Sequence, residues 1–427
     1  MSGRWIKIGL LFLSFQLFGI ATEAAAQPVE DSLTIAPNTF QFNNHKTRYE
    51  RISFRLINNL IIIPLRINDS DTLHFILDTG VSSVIITEMN YIGSLTLHDL
   101  EKVEIKGLGE GLVLSAYLSN GNTIFLEGIT GLNHSISILT SLDFMLSQHL
   151  GIPVHGLIGY DLFRQFVVKI DYDGKFISIY NRREFAPLKV RRRSVVLPFE
   201  FQGHKPLGMV KIKYPGENWL NVRLMLDLGA SDAAWLSTLS HPAIRLPEKW
   251  VETYLGQGLS GDIWGKRGKI EAISVGHYTF NNPVIAYPDP ELVQPLIEGQ
   301  NRQGSLGSAV LQKFDIVIDY PGQKFILTPN SFFRKPFRYN KSGIEILTPF
   351  PGLPFYYVST VTPGSAAYKA GVMKDDQILE INGLNGSEHS FEEMLDEFFG
   401  KDGQKVRMLL KRNGEKIKVS FELESMF

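Results

Sequence analysis

The chain has 427 residues, 44% of them hydrophobic and 20% charged, with a formal net charge of −1. That length and apolar content allow two or three domains with buried cores and exclude a disordered or fibrous chain, while the neutral balance lacks the electrostatic footprint of a nucleic-acid binder. Cysteine is absent, so neither a disulfide framework nor a lipidated N-terminus is available, and the fold rests on burial and hydrogen bonding.

The first residues, Met1 to Gln27, carry Arg4 and Lys7, then an apolar run from Ile8 to Ile20, then Ala24-Ala25-Ala26. This order of basic, apolar and small residues reads as a secretory signal cleaved near Ala26/Gln27, placing the mature chain in a periplasm or outside the cell. A membrane anchor is the alternative, and the apolar run is short for a bilayer span. A polar lead-in comes next, over 27–50. From Arg51 to Arg66 the chain turns apolar, through Leu60-Ile61-Ile62-Ile63-Pro64-Leu65, which reads as a strand ending in a turn at Asn68-Asp69-Ser70-Asp71. Then comes Phe75-Ile76-Leu77-Asp78-Thr79-Gly80-Val81-Ser82-Ser83-Val84-Ile85-Ile86, an acid set in a tight turn between two apolar strands. A lone ionised carboxylate is costly in such a place, so Asp78 calls for a partner that shares its charge or its proton.

A hairpin is expected from Glu101 to Leu118 around the glycine-rich Lys106-Gly107-Leu108-Gly109-Glu110-Gly111, and a short helix from Thr140 to Leu150. Gly156-Leu157-Ile158-Gly159 then leads into the strands Phe166 to Ile177. Arg183 to Ser194 bridges to the second half of the chain, and its basic run Lys189-Val190-Arg191-Arg192-Arg193 reads as a solvated linker face. Beyond it the plan repeats. Gly208–Tyr214 and Trp219–Leu226 read as paired strands, and Leu226-Asp227-Leu228-Gly229-Ala230-Ser231 stands 149 residues after the first acid. Gly107 lies 29 residues after Asp78, and Gly256, in Leu255-Gly256-Gln257-Gly258-Leu259-Ser260-Gly261, lies 29 after Asp227. Gly159 lies 81 residues after its acid, and Gly307, in Gly304-Ser305-Leu306-Gly307, lies 80 after the second. Three landmarks in one order at one spacing make an internal duplication.

With these landmarks the chain resembles the aspartic peptidases of the pepsin and retropepsin group over about 50 to 330. The resemblance implies two pseudo-symmetric β-barrel lobes, at 51–186 and 187–332, that bring Asp78 and Asp227 together at their seam. It casts Asp78 and Asp227 as the catalytic pair, Thr79, Gly80, Leu228 and Gly229 as their support, and Gly107, Leu108, Gly109, Gly256, Gln257 and Gly258 as flaps that close over a polypeptide substrate. It also implies a monomer, since both halves of the site lie on one chain, and peptide hydrolysis without cofactor or metal. Leu228 departs from the pattern: relatives carry Thr or Ser there, and the two hydroxyls brace the acids across the seam. Packing of Leu228 compensates for the loss, or the dyad is slack or inactive.

From Phe337 the pattern changes. Gly343-Ile344-Glu345-Ile346, then Tyr356-Tyr357-Val358-Ser359-Thr360-Val361-Thr362-Pro363-Gly364-Ser365-Ala366-Ala367, Ala370-Gly371-Val372 and Asp376-Gln377-Ile378-Leu379-Glu380-Ile381-Asn382-Gly383 resemble a PDZ domain over 338–427. Phe391 to Phe399 corresponds to the helix lining its peptide groove. In that family backbone N–H groups of a glycine–apolar loop hold a peptide C-terminus paired to the following strand. Gly343, Ile344, Glu345 and Ile346 are the candidates for that loop and strand; Gly352-Leu353-Pro354-Phe355 is weaker because Pro354 lacks a donor. A groove filled by the chain's own segments is the alternative. The expected class is therefore mostly β, two aspartic-protease lobes followed by an α+β PDZ domain. The histidines show no metal-ligand spacing, and no Gly-x-Ser-x-Gly elbow occurs. The functional expectation is an extracytoplasmic endopeptidase with a peptide-binding module; a non-catalytic peptide-binding or scaffold protein of the same shape is the alternative.

Overall fold

The computed structural model describes residues 36–105, 114–140, 144–181, 190–297 and 301–427. Strands dominate because the apolar runs are short, β-branched and broken by turn residues. Leu60–Ile67 is buried along nearly its whole length and pairs antiparallel with Leu73–Leu77, Ile62 opposite Ile76 and Ile63 opposite Phe75. The short strand Gly156–Ile158 inserts between Leu73–Leu77, to which it is parallel, and Val84–Ile86, to which it is antiparallel. In the second half Gly304–Leu306 inserts in the same way, parallel to Leu220–Leu226 and antiparallel to Ala234–Leu236. The consequence is identical support for both acids: Asp78 N–H donates to Ile158 O and Asp227 N–H to Leu306 O, each at 2.9 Å. Both inserted segments must end in glycine. A Cβ on Gly159 would sit 1.8 Å from Asp78 O, and one on Gly307 would sit 2.2 Å from Asp232 O.

The halves are joined by one continuous sheet. Val167–Asp171 pairs antiparallel with its counterpart Phe314–Asp319, Val168 opposite Ile318 and Ile170 opposite Ile316. Outward on either side lie Phe176–Tyr180 and Lys324–Pro329, and then Tyr49–Ser53 and Val195–Gln202. The order reads the same from either edge, as a twofold relation between the halves requires. A single apolar cluster runs beneath, with Phe75, Phe163, Phe314 and Phe325 fully buried. Truncating one such ring to Ala costs about 3–5 kcal/mol.

Some expectations shift in detail. The lead-in is part of the sheets: Thr39–Phe42 pairs with Ile129–Leu139, and Tyr49–Ser53 with Phe176–Tyr180. The helix expected from Thr140 spans Leu146–Leu150 and stops at Gly151, whose φ of 75° gives a left-handed cap. The hairpin from Glu101 forms with Glu101 opposite Leu118. Its bend, with Gly107, Leu108 and Gly109, lies outside the described residues, as does the signal segment 1–26. No helix among the described residues is long and apolar enough to cross a membrane.

The C-terminal module has its own core, including Ile344, Met394, Phe398, Val406 and Leu410. Its sheet runs in the order Ile344–Leu347, Tyr356–Val361, Gln377–Ile381, Lys405–Arg412, Glu415–Glu422, so Ile344–Leu347 is an edge strand. The helix Phe391–Asp396 starts with a reciprocal cap in which Ser390 and Glu393 satisfy each other's backbone N–H. The module docks on both halves. Thr348 N–H donates to Gln148 O at 3.0 Å, Gly352 N–H to Gly151 O at 2.9 Å, and Thr253 Oγ1 lies 3.1 Å from Thr362 Oγ1.

Candidate active site

The two Asp turns face each other. Gly229 of the second turn lies against the first acid, so a Cβ there would fall 2.4 Å from Asp78 Cγ. A Cβ on Gly80 would fall 3.0 Å from Asp78 Oδ1 and 3.7 Å from Asp227 Oδ1. Only glycine lets the turns approach this closely, and both carboxylates lie close to Gly80. Each is held by its own turn: Gly80 N–H donates to Asp78 Oδ1 at 2.6 Å and Gly229 N–H to Asp227 Oδ1 at 3.1 Å. Thr79 bridges the seam, its Oγ1 donating to Leu226 O at 2.6 Å and accepting from Leu228 N–H at 3.0 Å. The return bridge is missing because Leu228 has no hydroxyl. Leu228 is instead fully buried in the shared core, and its carbonyl accepts from Ser308 Oγ at 3.0 Å.

The acids differ in their surroundings. Burial, and then the neighbouring Asp227, raise the Asp78 carboxyl to about 7. Burial also raises Asp227, against the pull of Arg302, Ser305, Gly229 and Lys205. Ser305 Oγ donates to Asp227 Oδ2 at 3.0 Å, and Arg302 Nη2 donates to Ser305 Oγ at 2.8 Å. Arg302 is only 3% exposed; its Nε donates to Gly304 O at 2.9 Å, and its guanidinium lies 5.0 Å from the Trp235 ring centre. Lys205 lines the same space, and burial, followed by Arg302, lowers its ammonium from the usual lysine value. Favourable hydrogen bonding and nearby positive charge stabilise the charged form of Asp227 relative to Asp78. Ser305 carries a legible signal, since it stands in the Gly304-Ser305-Leu306-Gly307 segment where the first copy has apolar Leu157. Arg302 and Lys205 carry none; tertiary folding alone brings them in.

The hairpin Trp250–Gly258/Gly261–Lys269 covers this space from the second half. Gly256, Gln257 and Gly258 lie on its first strand, and the bend falls at Leu259-Ser260. Gly256 serves a bulge after Tyr254, where its φ of 139° suits glycine alone. The hairpin reaches the first half: Met145 N–H donates to Gln257 Oε1 at 2.8 Å, and Leu259 packs on the cluster of Leu150 and Val154. Arg267 anchors it, with Nη2 donating to Asp232 Oδ2 at 3.2 Å and to Leu255 O at 3.1 Å. Asp232 thus ties the Asp227 turn to the covering hairpin, a role that its place in the sequence does not announce.

Hairpin, dyad and C-terminal module enclose one cavity of about 480 Å³. Asp78, Asp227, Gly256, Gln257 and Gly258 line it, and so do Gly343, Glu345 and Ile346 from the module. Ile344 turns into the module's own core. Gly352-Leu353-Pro354-Phe355 lies at the contact with Gly151 and does not line the cavity.

The edge strand beside a capped helix, with a glycine loop before the strand, is the arrangement that the C-terminal motifs imply. Residues 340–411 match the PDZ domain family. The PDZ domain therefore borders the same cavity as the two acids. Among solved structures, the aspartic proteinase from Irpex lacteus is similar to this chain at 12% identity and a TM-score of 0.43, covering 67% of this chain and 99% of its own. No curated protein matches the sequence.

Proposed function

We propose that this chain is an aspartic endopeptidase that acts outside the cytoplasm, in a periplasm or as a secreted protein, as a monomer with a PDZ domain that engages its polypeptide substrate. One observation carries this reading: two acids, each with its backbone N–H bonded to the inserted strand of its own half, lie close to a single glycine beneath a covering hairpin. Two carboxylates so close share one proton. The Ser305 and Arg302 contacts favour Asp227 as the ionised member, leaving the proton on Asp78.

The roles then follow. Asp227 takes a proton from a water whose oxygen bonds to the peptide carbonyl carbon, and Asp78 gives its proton to the carbonyl oxygen. The resulting diol collapses as the C–N bond breaks: the leaving nitrogen takes the proton from Asp227, and Asp78 recovers one from the diol. No covalent intermediate or cofactor is required. The hairpin over Gly256–Gly258, and the bend with Gly107, Leu108 and Gly109, would close on the peptide and exclude bulk water. The basic, apolar and small-residue order over 1–26 supports the compartment.

The test is cleavage of an unfolded protein, followed by mass spectrometry. Asp78→Asn and Asp227→Asn should each abolish products while the fold, read by circular dichroism, persists; turnover equal to wild type in either variant refutes the reading. A second reading, peptide binding without hydrolysis, draws support from the one-way Thr79 bridge. It predicts peptide retention with no products between pH 3 and pH 8, a range that brackets both unperturbed and raised carboxyl values.

A further inference from the structure

The two copies of the repeat place different side chains across from their acids. In the second half Leu207 stands opposite Met225, and the same register, continued by two residues, sets Lys205 opposite Asp227. In the first half Ile62 stands opposite Ile76, and the same step sets Leu60 opposite Asp78. Both hairpins turn at the same point, Gln202 pairing with Lys205 and Ile57 with Leu60. Because side chains alternate along a strand, Lys205 shares the face of Met225 and Asp227, and all three line the cavity. What is a leucine beside one acid is a cation beside the other.

That cation lacks a partner among the described residues. Four Lys and Arg side chains line the cavity: Lys205, Arg267, Arg302 and Arg338. Arg267 pairs with Asp232, and Arg338 Nη2 lies 3.2 Å from Asp396 Oδ1. Arg302 is held by Gly304 O, Ser305 Oγ and the face of Trp235. On Lys205 only burial and the charges of Arg302, Asp227 and Asp78 act, with no hydrogen bond or ion pair among the described residues. With one proton on the dyad, Asp78 and Asp227 carry one negative charge against the two positive charges of Arg302 and Lys205. A half-buried ammonium without a counter-charge of its own is costly, and a carboxylate brought in by a ligand would offset that cost.

Building on the peptidase reading, we infer that Lys205 forms a subsite for an acidic side chain beside Asp227, so that the protein cleaves polypeptides next to an Asp or Glu. A side-chain carboxylate from the substrate sets two negative charges against two positive ones, whereas a cationic side chain would add to the excess. The equivalent place in the first half, held by Leu60, offers no such charge, so the preference belongs to one side of the scissile bond.

Two measurements test the proposal. In the first, wild-type protein, Lys205→Leu and Lys205→Arg each digest a mixture of unfolded proteins, and the cut bonds are mapped by mass spectrometry. Leu is the residue of the first copy at this place, so it suits the fold, and thermal melting checks that it does. An extended peptide advances about 3.4 Å per residue, which puts the recognised side chain within about two residues of the cut bond. At one position there, on one side of the cut, Asp and Glu should exceed Asn and Gln about fivefold in wild type after correction for composition. The excess should vanish in Lys205→Leu and persist in Lys205→Arg. No acidic excess in wild type, or one that survives in Lys205→Leu, overturns the proposal. So does a slowing of every cut by Lys205→Leu with the excess intact, because Lys205 would then act on the dyad and not on the substrate.

The second measurement needs no hydrolysis. It uses full-length Asp78→Asn protein, in which the dyad keeps its charge because Asp78 is the protonated member. Two fluorescein-labelled peptides about twelve residues long are identical except that one carries Glu, and the other Gln, at every third position. By anisotropy the Glu peptide should bind about tenfold more tightly, and adding Lys205→Leu should make the two equal. Equal binding before that substitution overturns the proposal. A failure of the peptidase reading appears separately, as wild-type protein that yields no products while the preference for the Glu peptide remains.

Discussion

At the dyad, the proposed mechanism turns on single contacts that set the two acids apart. On that mechanism Ser305 and Arg302 hold Asp227 toward its charged form, and Asp78, which Gly80, Lys205 and Gly229 pull down but which has neither of those two beside it, keeps the proton. Removing that support by Ser305→Ala or Arg302→Met should raise the Asp227 carboxyl, moving the acid limb of the kcat/KM–pH profile upward by about one unit. On the same reading the basic limb reports Asp78, raised to about 7, so wild-type activity should persist to near neutrality and fall above it. An acid limb that stays in place in both variants would return the two acids to equivalence. Thr79 carries a different load. Thr79→Val strips partners from Leu226 O and Leu228 N–H, both buried, at a cost of about 2 kcal/mol in stability by urea titration, together with a fall in kcat. Leu228→Thr would supply the missing hydroxyl but open space where a fully buried Leu now packs, so it should lose stability as well.

Among the elements, the covering hairpin is tied to the second acid's turn by a half-buried ion pair. Arg267 connects Asp232 behind the second acid to the backbone of the hairpin at Leu255. Arg267→Met leaves Asp232 without its cation and should speed amide exchange along 250–269, while raising KM about fivefold or more with a smaller effect on kcat. Unchanged exchange there would show the hairpin to be held by the Gln257 and Leu259 contacts alone. The same element marks the limit of what the sequence makes legible. The Asp-x-Gly turns and the apolar-apolar-Gly braces can be read because each is a local pattern with a steric reason: a Cβ at Gly159 or Gly307 meets backbone oxygen. The bend of the hairpin is harder to place, because the sequence cannot distinguish a glycine needed for a bulge, as Gly256 is, from one needed for a tip. Arg267, Asp232, Arg302 and Lys205 act on the site only through tertiary approach, and their spacing along the chain has no period to betray them. The PDZ motif is legible, but its docking is not, since that depends on a surface complementarity between Gln148–Gly151 and the loop after the edge strand.

Across the whole molecule, the docking of the PDZ domain brings a carboxyl into a place where its charge matters to the assembly. Glu345 sits between the two parts, faced by Arg267 and Asp232 and by Tyr254 of the hairpin. Burial raises its carboxyl to about 7, Arg267 drawing it down and Asp232 pushing it up. In the unfolded chain the same group titrates at its ordinary value of 4.5. The folded protein thus holds a proton that the unfolded chain has released, so this contribution to stability is fully present below about 4.5, declines as pH rises, and is gone above about 7. Asp78 acts in the same sense, since its carboxyl is raised too. Thermal stability should therefore be higher at pH 5 than at pH 7.5, and Glu345→Gln, which cannot ionise, should narrow that gap by about 2 °C. The change should be felt at the docking surface: in wild type, amide exchange around Thr348 and Thr362 should quicken on going from pH 5 to pH 7.5, after correction for intrinsic rates, and in Glu345→Gln it should not. A gap between the two pH values that is the same in both proteins would mean that Arg267 neutralises Glu345 throughout, and that the PDZ domain is held on the cleft independently of pH.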